Sequence, residues 1–480
     1  MLRYSVSPVA HREQDCHELV NDTHSKLNPT VVARRVVPQN NLQLLAELKC
    51  ARAHGQKVSM AGGRHAMGGQ QFLQNGVLLD MNGMNKPIGL DAESGLLEVE
   101  AGMQWPELIQ YLQKSQAGSA SPWTIAQKQT GCDRLSIGGA LAANVHGRGL
   151  RMAPFVGDVE EFKLITADGD IVRCSRDSNE ELFRLAIGGY GLFGVVSSAT
   201  LRLKPRTVLQ RSVELATVAE AVSKLESAAC DGATYGDFQF SIDDKSSDFL
   251  KAGILSSYKP VEMDARLLPQ DKRLLSNSQW QELLYLAHAD KSLAFKKYSQ
   301  HYLTTNGQYY LSDTFQLATY LDDYHREVDQ RMPNHCSGTE MISELYVPRD
   351  MLPSFLNRAA ELLRQQNANV IYGTVRLIEQ DKEAFLAWAK ERWACTVLNL
   401  HVEHTPHGIA AASRTFCDLI ELAASYGGSF YLTYHRFASA RQLLVCYPQM
   451  PEFMALKMHY DHAELFDSDW YRHNKRLIGL

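Results

Sequence analysis

The chain has 480 residues, enough for two or three domains around a large core. Apolar residues make up 45% and charged residues 21%, an ordinary globular balance, and a net charge of −5 leaves no footprint for a nucleic-acid partner. No run reaches the roughly 18 apolar residues of a membrane helix. The opening stretch, MLRYSVSPVAHREQDCHE, has no apolar signal core. Nine scattered cysteines without a CxxC pair suggest neither a disulfide framework nor a zinc site, so reduced thiols and a cytoplasmic location are the simplest expectation.

Residues 1–30 read as a polar lead-in. Thr30 to Pro38, TVVARRVVP, reads as a strand ended by proline. Asn40 or Asn41 can cap the helix NLQLLAELKCARAHG, which closes at Gly55. Next comes VSMAGGRHAMGGQQ, Val58 to Gln71, with four glycines between Gly62 and Gly69. Such a turn brings backbone close to a ligand, and its successive N–H groups suit phosphate oxygens. Taken alone it is only a turn. VLLD and LLEVE read as strands, and Trp105-Pro106-Glu107 opens a helix.

A second glycine region, QKQTGCDRLSIGGALAANVHGRG, runs from Gln127 to Gly149. Val159 to Thr166 and Ile171 to Cys174 read as a hairpin around Asp168-Gly169, followed by a helix from Glu180 to Ile187. The third region, GGYGLFG, Gly188 to Gly194, leads into a strand ended by Pro205. Three Gly-rich turns between strands and helices fit an α+β ligand-binding domain. No GxGxxG follows the first strand and Walker A is absent, which argues against Rossmann and P-loop readings. Beyond Leu209 the glycine loops stop. Strands at Met341–Pro348, Asn369–Ile378 and Cys395–Glu403 alternate with helices at Arg349–Asn367, Asp381–Arg392 and Ile409–Tyr426.

The segments AGGRHAMGG, RLSIGGALAANVHGRG, LITADGDIVRCSRDSNEELF and GGYGLFGVV, in this order and spacing, resemble the vanillyl-alcohol oxidase/p-cresol methylhydroxylase superfamily of FAD-dependent oxidoreductases. The likeness is strong over about 30–206, good from Gly427 to Ile478 and weaker between. It leans towards the decaprenylphosphoryl-ribose oxidase and alditol or sugar-lactone oxidase branches. The resemblance implies an α+β, two-domain PCMH-type FAD-binding fold. The FAD-binding domain would span 1–206, an α+β substrate (cap) domain on an antiparallel sheet 207–429, and a segment returning to the FAD domain 430–480. It also implies an FAD-dependent oxidase or dehydrogenase acting on the CH–OH group of a small sugar, polyol, lactone or related molecule, with oxygen or another acceptor taking the electrons. Alternatives are an aromatic-alcohol or amine oxidase on the same scaffold, or a non-catalytic flavin-binding redox protein.

By the same resemblance FAD contacts fall at Ala61, Gly62, Gly63, Arg64, His65, Ala66 and Gln70 in the first loop. In the second they fall at Gly131, Cys132, Ser136, Gly138, Gly139, Asn144 and His146, and in the third at Gly188, Gly194 and Val195. One alignment register makes His65 a covalent attachment point for FAD; the other places Arg64 there, as in the non-covalent branch. Oxidising an alcohol on a flavin calls for a base for the hydroxyl proton and a positive or hydrogen-bonding group at the flavin N1–O2 edge. Glu344, Arg376 and His401 interrupt apolar strands, where an unpaired ionisable group is costly, so a shared pocket floor is expected. Tyr434 occupies the position of the family's lysine, and His435 or Arg436 could supply the missing charge. His401 is expected to act as base, oriented by Glu403 and sharing acid–base work with Tyr434, because histidine starts near pKa 6.5. His146, on the flavin side, is the rival. His401 and His404 fall on opposite faces of a strand, so no metal site is expected.

Overall fold

The computed structural model describes residues 17–264, 268–269, 272–319, 321, 323–332 and 336–480. Residues 1–16 of the polar lead-in lie outside them. The remainder is structured: Glu18–Val20 pairs antiparallel with Thr30–Val32. The strand expected from Thr30 to Pro38 is two strands, because Arg34–Val36 leaves that pair and runs parallel to Val77–Asp80.

Besides two two-stranded pairs, the first lobe holds two larger sheets. One is parallel, in the order Arg34–Val36, Val77–Asp80, Val58–Ala61; the other is a five-stranded antiparallel sheet centred on Val195–Arg202. Helix Asn41–Ala53 begins where the Asn40 side chain accepts from the Gln43 amide at 3.0 Å. It stops before Gly55, whose φ of +64° an L side chain resists.

The second lobe is built on an eight-stranded antiparallel sheet. Its order is Tyr309–Leu311, Val208–Thr217, Ala252–Val261, Tyr235–Phe240, Val370–Ile378, Trp393–Glu403, Gly338–Pro348, Ser429–Phe430. Helices Val218–Cys230, Leu352–Gln365 and Pro406–Ser425 cover one face. Leu352, Phe355, Leu356, Ala359, Ala360 and Leu363 recur at three- and four-residue spacing and are all buried there. The other face looks towards the first lobe and is partly roofed by helices Asn277–Ala289 and Lys291–Thr304. The chain is thus a two-domain α+β protein whose second domain is β-rich. After Phe430 it turns back to the first lobe, where Val58 N–H donates to Leu465 O at 2.7 Å and Asp467 N–H to Val58 O at 2.9 Å.

The helix expected from Asp381 to Arg392 is absent. Asp381 Oδ1 instead accepts from the amides of Glu383 and Ala384, its Oδ2 accepts from Asn144 Nδ2 at 2.8 Å, and Trp388 Nε1 donates to Asn144 O at 2.9 Å. Contacts with the first lobe outweigh the local helical pattern. No helix among the described residues is long and apolar enough to cross a membrane.

Candidate active site

Between the lobes lies a cavity of about 920 Å³. Its first-lobe wall is made by the three Gly-rich loops. Two glycines are dictated by the approach of the first loop to the second: a Cβ at Gly62 would lie 2.0 Å from Ser136 Oγ, and one at Gly63 would lie 2.1 Å from Arg134 O. Thr23 accepts the bend at Arg64 (φ +58°) by donating its N–H to Arg64 O at 3.0 Å. The amides of Gly63, Arg64, His65 and Ala66 donate to no protein group among the described residues. Four consecutive free N–H groups on a cavity wall form the nest that phosphate oxygens fill, and the cavity takes a dinucleotide-sized group; the residues fit FAD.

Of the residues assigned above to FAD contact, all but Asn144 and Gly188 line this cavity. Asn144 is fully buried in a left-handed turn (φ +49°); its Oδ1 accepts from Val156 N–H and its Nδ2 donates to Asp381, so it braces the loop from behind. Gly188 donates its N–H to Leu141 O and packs against Asn144. Gln70 ties the first loop to the C-terminal segment through Leu432 O at 2.7 Å. His65 Nδ1 lies 3.1 Å from Thr23 Oγ1 and 2.9 Å from His24 Nε2. Burial, with His24 beside it, lowers His65 to about 3, so the ring is neutral. Burial pushes the Cys132 thiol up to about 12, leaving it unreactive.

The opposite wall is one face of the second-lobe sheet. Strand alternation puts Arg376, Cys395, Val397, Glu344 and Glu340 on that face. Glu344, 4% exposed, is the hub. His146 Nε2 lies 2.8 Å from its Oε2, Tyr346 donates to the same oxygen at 3.0 Å, and Tyr434 donates to Oε1 at 2.8 Å. His146 Nδ1 lies 3.0 Å from Gly147 O. Both partners of that ring, the Glu344 carboxylate and Gly147 O, are hydrogen-bond acceptors. Burial alone would raise the Glu344 carboxyl; His146, reinforced by Arg376 and Tyr434, outweighs it and brings the carboxyl down to about 2. Burial and the Glu344 charge push the Tyr434 phenol well above its ordinary value, so it donates and stays protonated. Arg376 donates to Thr130 Oγ1 of the second loop, and its Nε has no partner.

His401 is placed apart from this group. Its Nδ1 lies 3.1 Å from Glu340 Oε1; Glu340, not Glu403, orients the ring. Glu340 also takes His325 Nδ1 at 2.9 Å and the Tyr324 hydroxyl, with His288 Nε2 at 3.5 Å. Despite burial, those partners hold it well below the carboxylate range. The structure thus brings Glu344, Arg376, His146 and Tyr434 onto one wall and gives His401 a second cluster on the same sheet face. Neither His435 nor Arg436 supplies charge beside Tyr434. His435 is buried against Phe416 and Phe437 and lowered by burial to about 3, while Arg436 Nη2 reaches towards Asn28 at 3.5 Å. The cation near Tyr434 is Arg376.

Among the described residues three sets have donor atoms within 4.8 Å of one another, as a metal site needs: His288–Glu340–His401, His146–Glu344–Cys395 and His24–His65–Cys132. Direct contacts between their own members already span them, at 3.1, 2.8 and 2.9 Å. Sequence reasoning missed Glu340, Cys395, Arg148, Arg211 and Asp237, all cavity-facing or beside Glu344. The signal was present: Arg211 and Asp237 interrupt the strands VLQRSVELAT and YGDFQF much as Arg376 interrupts its own.

Residues 32–175 match the family described as FAD binding domain. L-gulono-1,4-lactone dehydrogenase of Mycobacterium tuberculosis is 23% identical over 94% of this chain and 96% of its own length. L-gulonolactone oxidase of Bos taurus is 27% identical over 38% of this chain and 39% of its own. Cytokinin dehydrogenase 2 of Oryza sativa subsp. japonica is 31% identical over 36% and 31%. Lactone and cytokinin enzymes together single out no one branch. Loops, cavity and relatives agree that the chain carries a PCMH-type FAD-binding domain related to those of sugar-lactone oxidases and cytokinin dehydrogenases.

Proposed function

We propose that this protein is an FAD-dependent oxidoreductase that oxidises a CH–OH group of a sugar, polyol, lactone or related molecule, with residues 1–206 holding FAD, 207–429 capping it and 430–480 closing back on the FAD lobe. The observation that carries the reading is the buried Glu344 carboxylate, hydrogen-bonded by His146 from the second loop and by Tyr434 from the C-terminal segment. The lactone relatives favour the sugar and lactone class over aromatic alcohols.

The first-loop amides would hold the pyrophosphate. When bound, FAD supplies the hydride acceptor at N5. Glu344 receives the substrate hydroxyl, and the His146–Glu344 pair takes its proton as the hydride leaves carbon. Arg376 balances negative charge developing there. Tyr434, by donating to Oε1, fixes the carboxylate. The Glu340–His401 pair is a positioning element further along the sheet. His65 acts as a neutral loop brace and FAD is held non-covalently, a reading supported by a ring already engaged by Thr23, His24 and the Arg134 backbone.

Reconstitution with FAD followed by anaerobic stopped-flow against sugars, polyols, lactones and phenols tests the reading. Bleaching by a sugar, polyol or lactone is expected. Bleaching by phenolic alcohols alone would move the substrate class, and failure to bind FAD would end the reading. Acid precipitation checks the linkage: flavin is expected in the supernatant with an unmodified His65 peptide, and flavin in the pellet would contradict it.

A further inference from the structure

At the end of the cavity away from Glu344, two arginines sit among aromatic rings. Arg211 is 6% exposed, and its guanidinium lies 4.5 Å from the Tyr302 ring centroid and 5.3 Å from that of Tyr258. Nη2 donates to Ser256 Oγ at 3.2 Å and Nη1 to Tyr310 OH at 3.4 Å, but Nε has no acceptor among the described residues. No carboxylate lies within ion-pair distance of it among the described residues. Arg148, in the second loop, lies over the Phe315 ring at 4.8 Å; its Nε also lacks an acceptor, and its nearest carboxylate, Asp237, is 3.9 Å away.

A buried guanidinium needs an anion or a full set of acceptors. Ring faces compensate only in part. Among the described residues this end of the cavity also carries Lys272 and Arg273, which with Arg148 and Arg211 outnumber Asp237. The Glu344 end carries the carboxylates Glu340 and Glu344, with Arg376 beside the latter. The cavity is therefore polarised along the sheet, with cations at one end and the hydroxyl-receiving group at the other.

We propose that the Arg148–Arg211 box binds an anionic group, carboxylate or phosphate, at the far end of the same hydroxylated substrate, an inference that rests on the oxidation reading above. The strands bearing Arg211 and Glu344 are separated by five inter-strand spacings, and at ~4.8 Å each the substrate is elongated, up to roughly 24 Å along the curved sheet. The Arg211 fork presents its free Nε edge to a planar or tetrahedral anion, while Tyr258 and Tyr302 flank it. Arg148 supplies the second cation from the FAD lobe, so the anion would help to hold the two lobes together.

Calorimetric titration of the FAD-loaded protein with phenyl phosphate, benzoate and uncharged benzyl alcohol tests this without turnover. Wild type is expected to bind at least one anion and not the alcohol; the two anions distinguish a phosphate from a carboxylate. Arg211→Gln and, independently, Arg148→Gln should each weaken that binding at least tenfold, with FAD content unchanged; Arg211→Lys should restore part of it. Equal binding of anion and alcohol by wild type, or unchanged anion binding in both glutamine variants, would overturn the proposal. So would loss of FAD from folded Arg211→Gln protein, because the arginine would then serve the cofactor. Anion binding by a protein that no hydroxylated compound reduces would sink the oxidation reading and leave the anion site standing.

Discussion

The two faces of the eight-stranded sheet are made by the same strands, residue by alternate residue, yet they are built to opposite rules. The helix-covered face is apolar and closed: Leu352, Phe355, Leu356, Ala359 and Ala360 are fully buried on the helix that packs there. The cavity face buries Glu340, Glu344, Arg376, Asp237 and Arg211 at 4–6% exposure. On that face Arg211 Nε, Arg376 Nε, Asp237 Oδ1 and Gln239 Oε1 have no partner among the described residues. A sheet selected for stability alone would not leave so many buried polar atoms open. The first face holds the domain together, and the second is arranged for a ligand and its chemistry.

That contrast is sharpened first at the chemical hub. Glu344→Gln keeps the shape of the side chain but removes its charge. Flavin reduction should slow by about 10²- to 10⁴-fold, the range associated with losing a positioned proton acceptor. FAD content should stay near wild type, while the melting temperature should fall, because the depressed Glu344 carboxyl contributes stability at neutral pH. On the other face, Leu356→Ala should cost about 2–5 kcal/mol of unfolding free energy, the range for emptying a packed core site. Denaturant titration reads that loss, and the reduction rate of the folded fraction should not change.

The histidines give the comparison a pH axis. Burial lowers His435 to about 3, His288 to about 4 and, with His24 beside it, His65 to about 3. Below about 6.5 the unfolded chain takes up protons that these folded sites refuse. Stability should therefore fall with decreasing pH from about 6.5 towards 3–4, by up to about 1.4 kcal/mol per pH unit for each such histidine. Glu344 adds an acid loss lower down: its folded carboxyl is depressed to about 2, so its contribution is present above its unfolded value and disappears as pH falls towards 2. Melting temperatures across this range should fall less steeply in His435→Phe, whose ring replaces one buried neutral imidazole between Phe416 and Phe437. The smallest effect is expected for His401→Gln. Its ring contacts Glu340 rather than Glu344, so flavin reduction should change only a few-fold and keep its pH dependence.

Much of this was legible in the chain. The three glycine loops and the strands carrying Glu344 and Arg376 could be placed from period and punctuation, and the loops do share one cavity wall. What escaped depends on distance in space. Nothing local to NLHVE says that His401 will meet Glu340, 61 residues earlier, rather than Glu403 two residues later. Strand pairing decides it, since Glu340 lies directly opposite His401. The segment from Asp381 to Arg392 has a helical pattern, but Asn144, 237 residues before Asp381, holds it as a loop. Arg211 passed unnoticed because one charged residue in a strand ordinarily faces water; only the assembled sheet shows it under Tyr258 and Tyr302.

The central claim is that the cavity face carries the chemistry and the helix-covered face the stability. A crossed measurement tests it most directly: melting temperature and anaerobic flavin-reduction rate, with a reducing sugar, polyol or lactone, in FAD-loaded wild type, Glu344→Gln and Leu356→Ala. Glu344→Gln should lose the rate by at least about 10²-fold with FAD retained, while folded Leu356→Ala keeps the wild-type rate and melts at a lower temperature. A Glu344→Gln protein that reduces its flavin at the wild-type rate would contradict the claim.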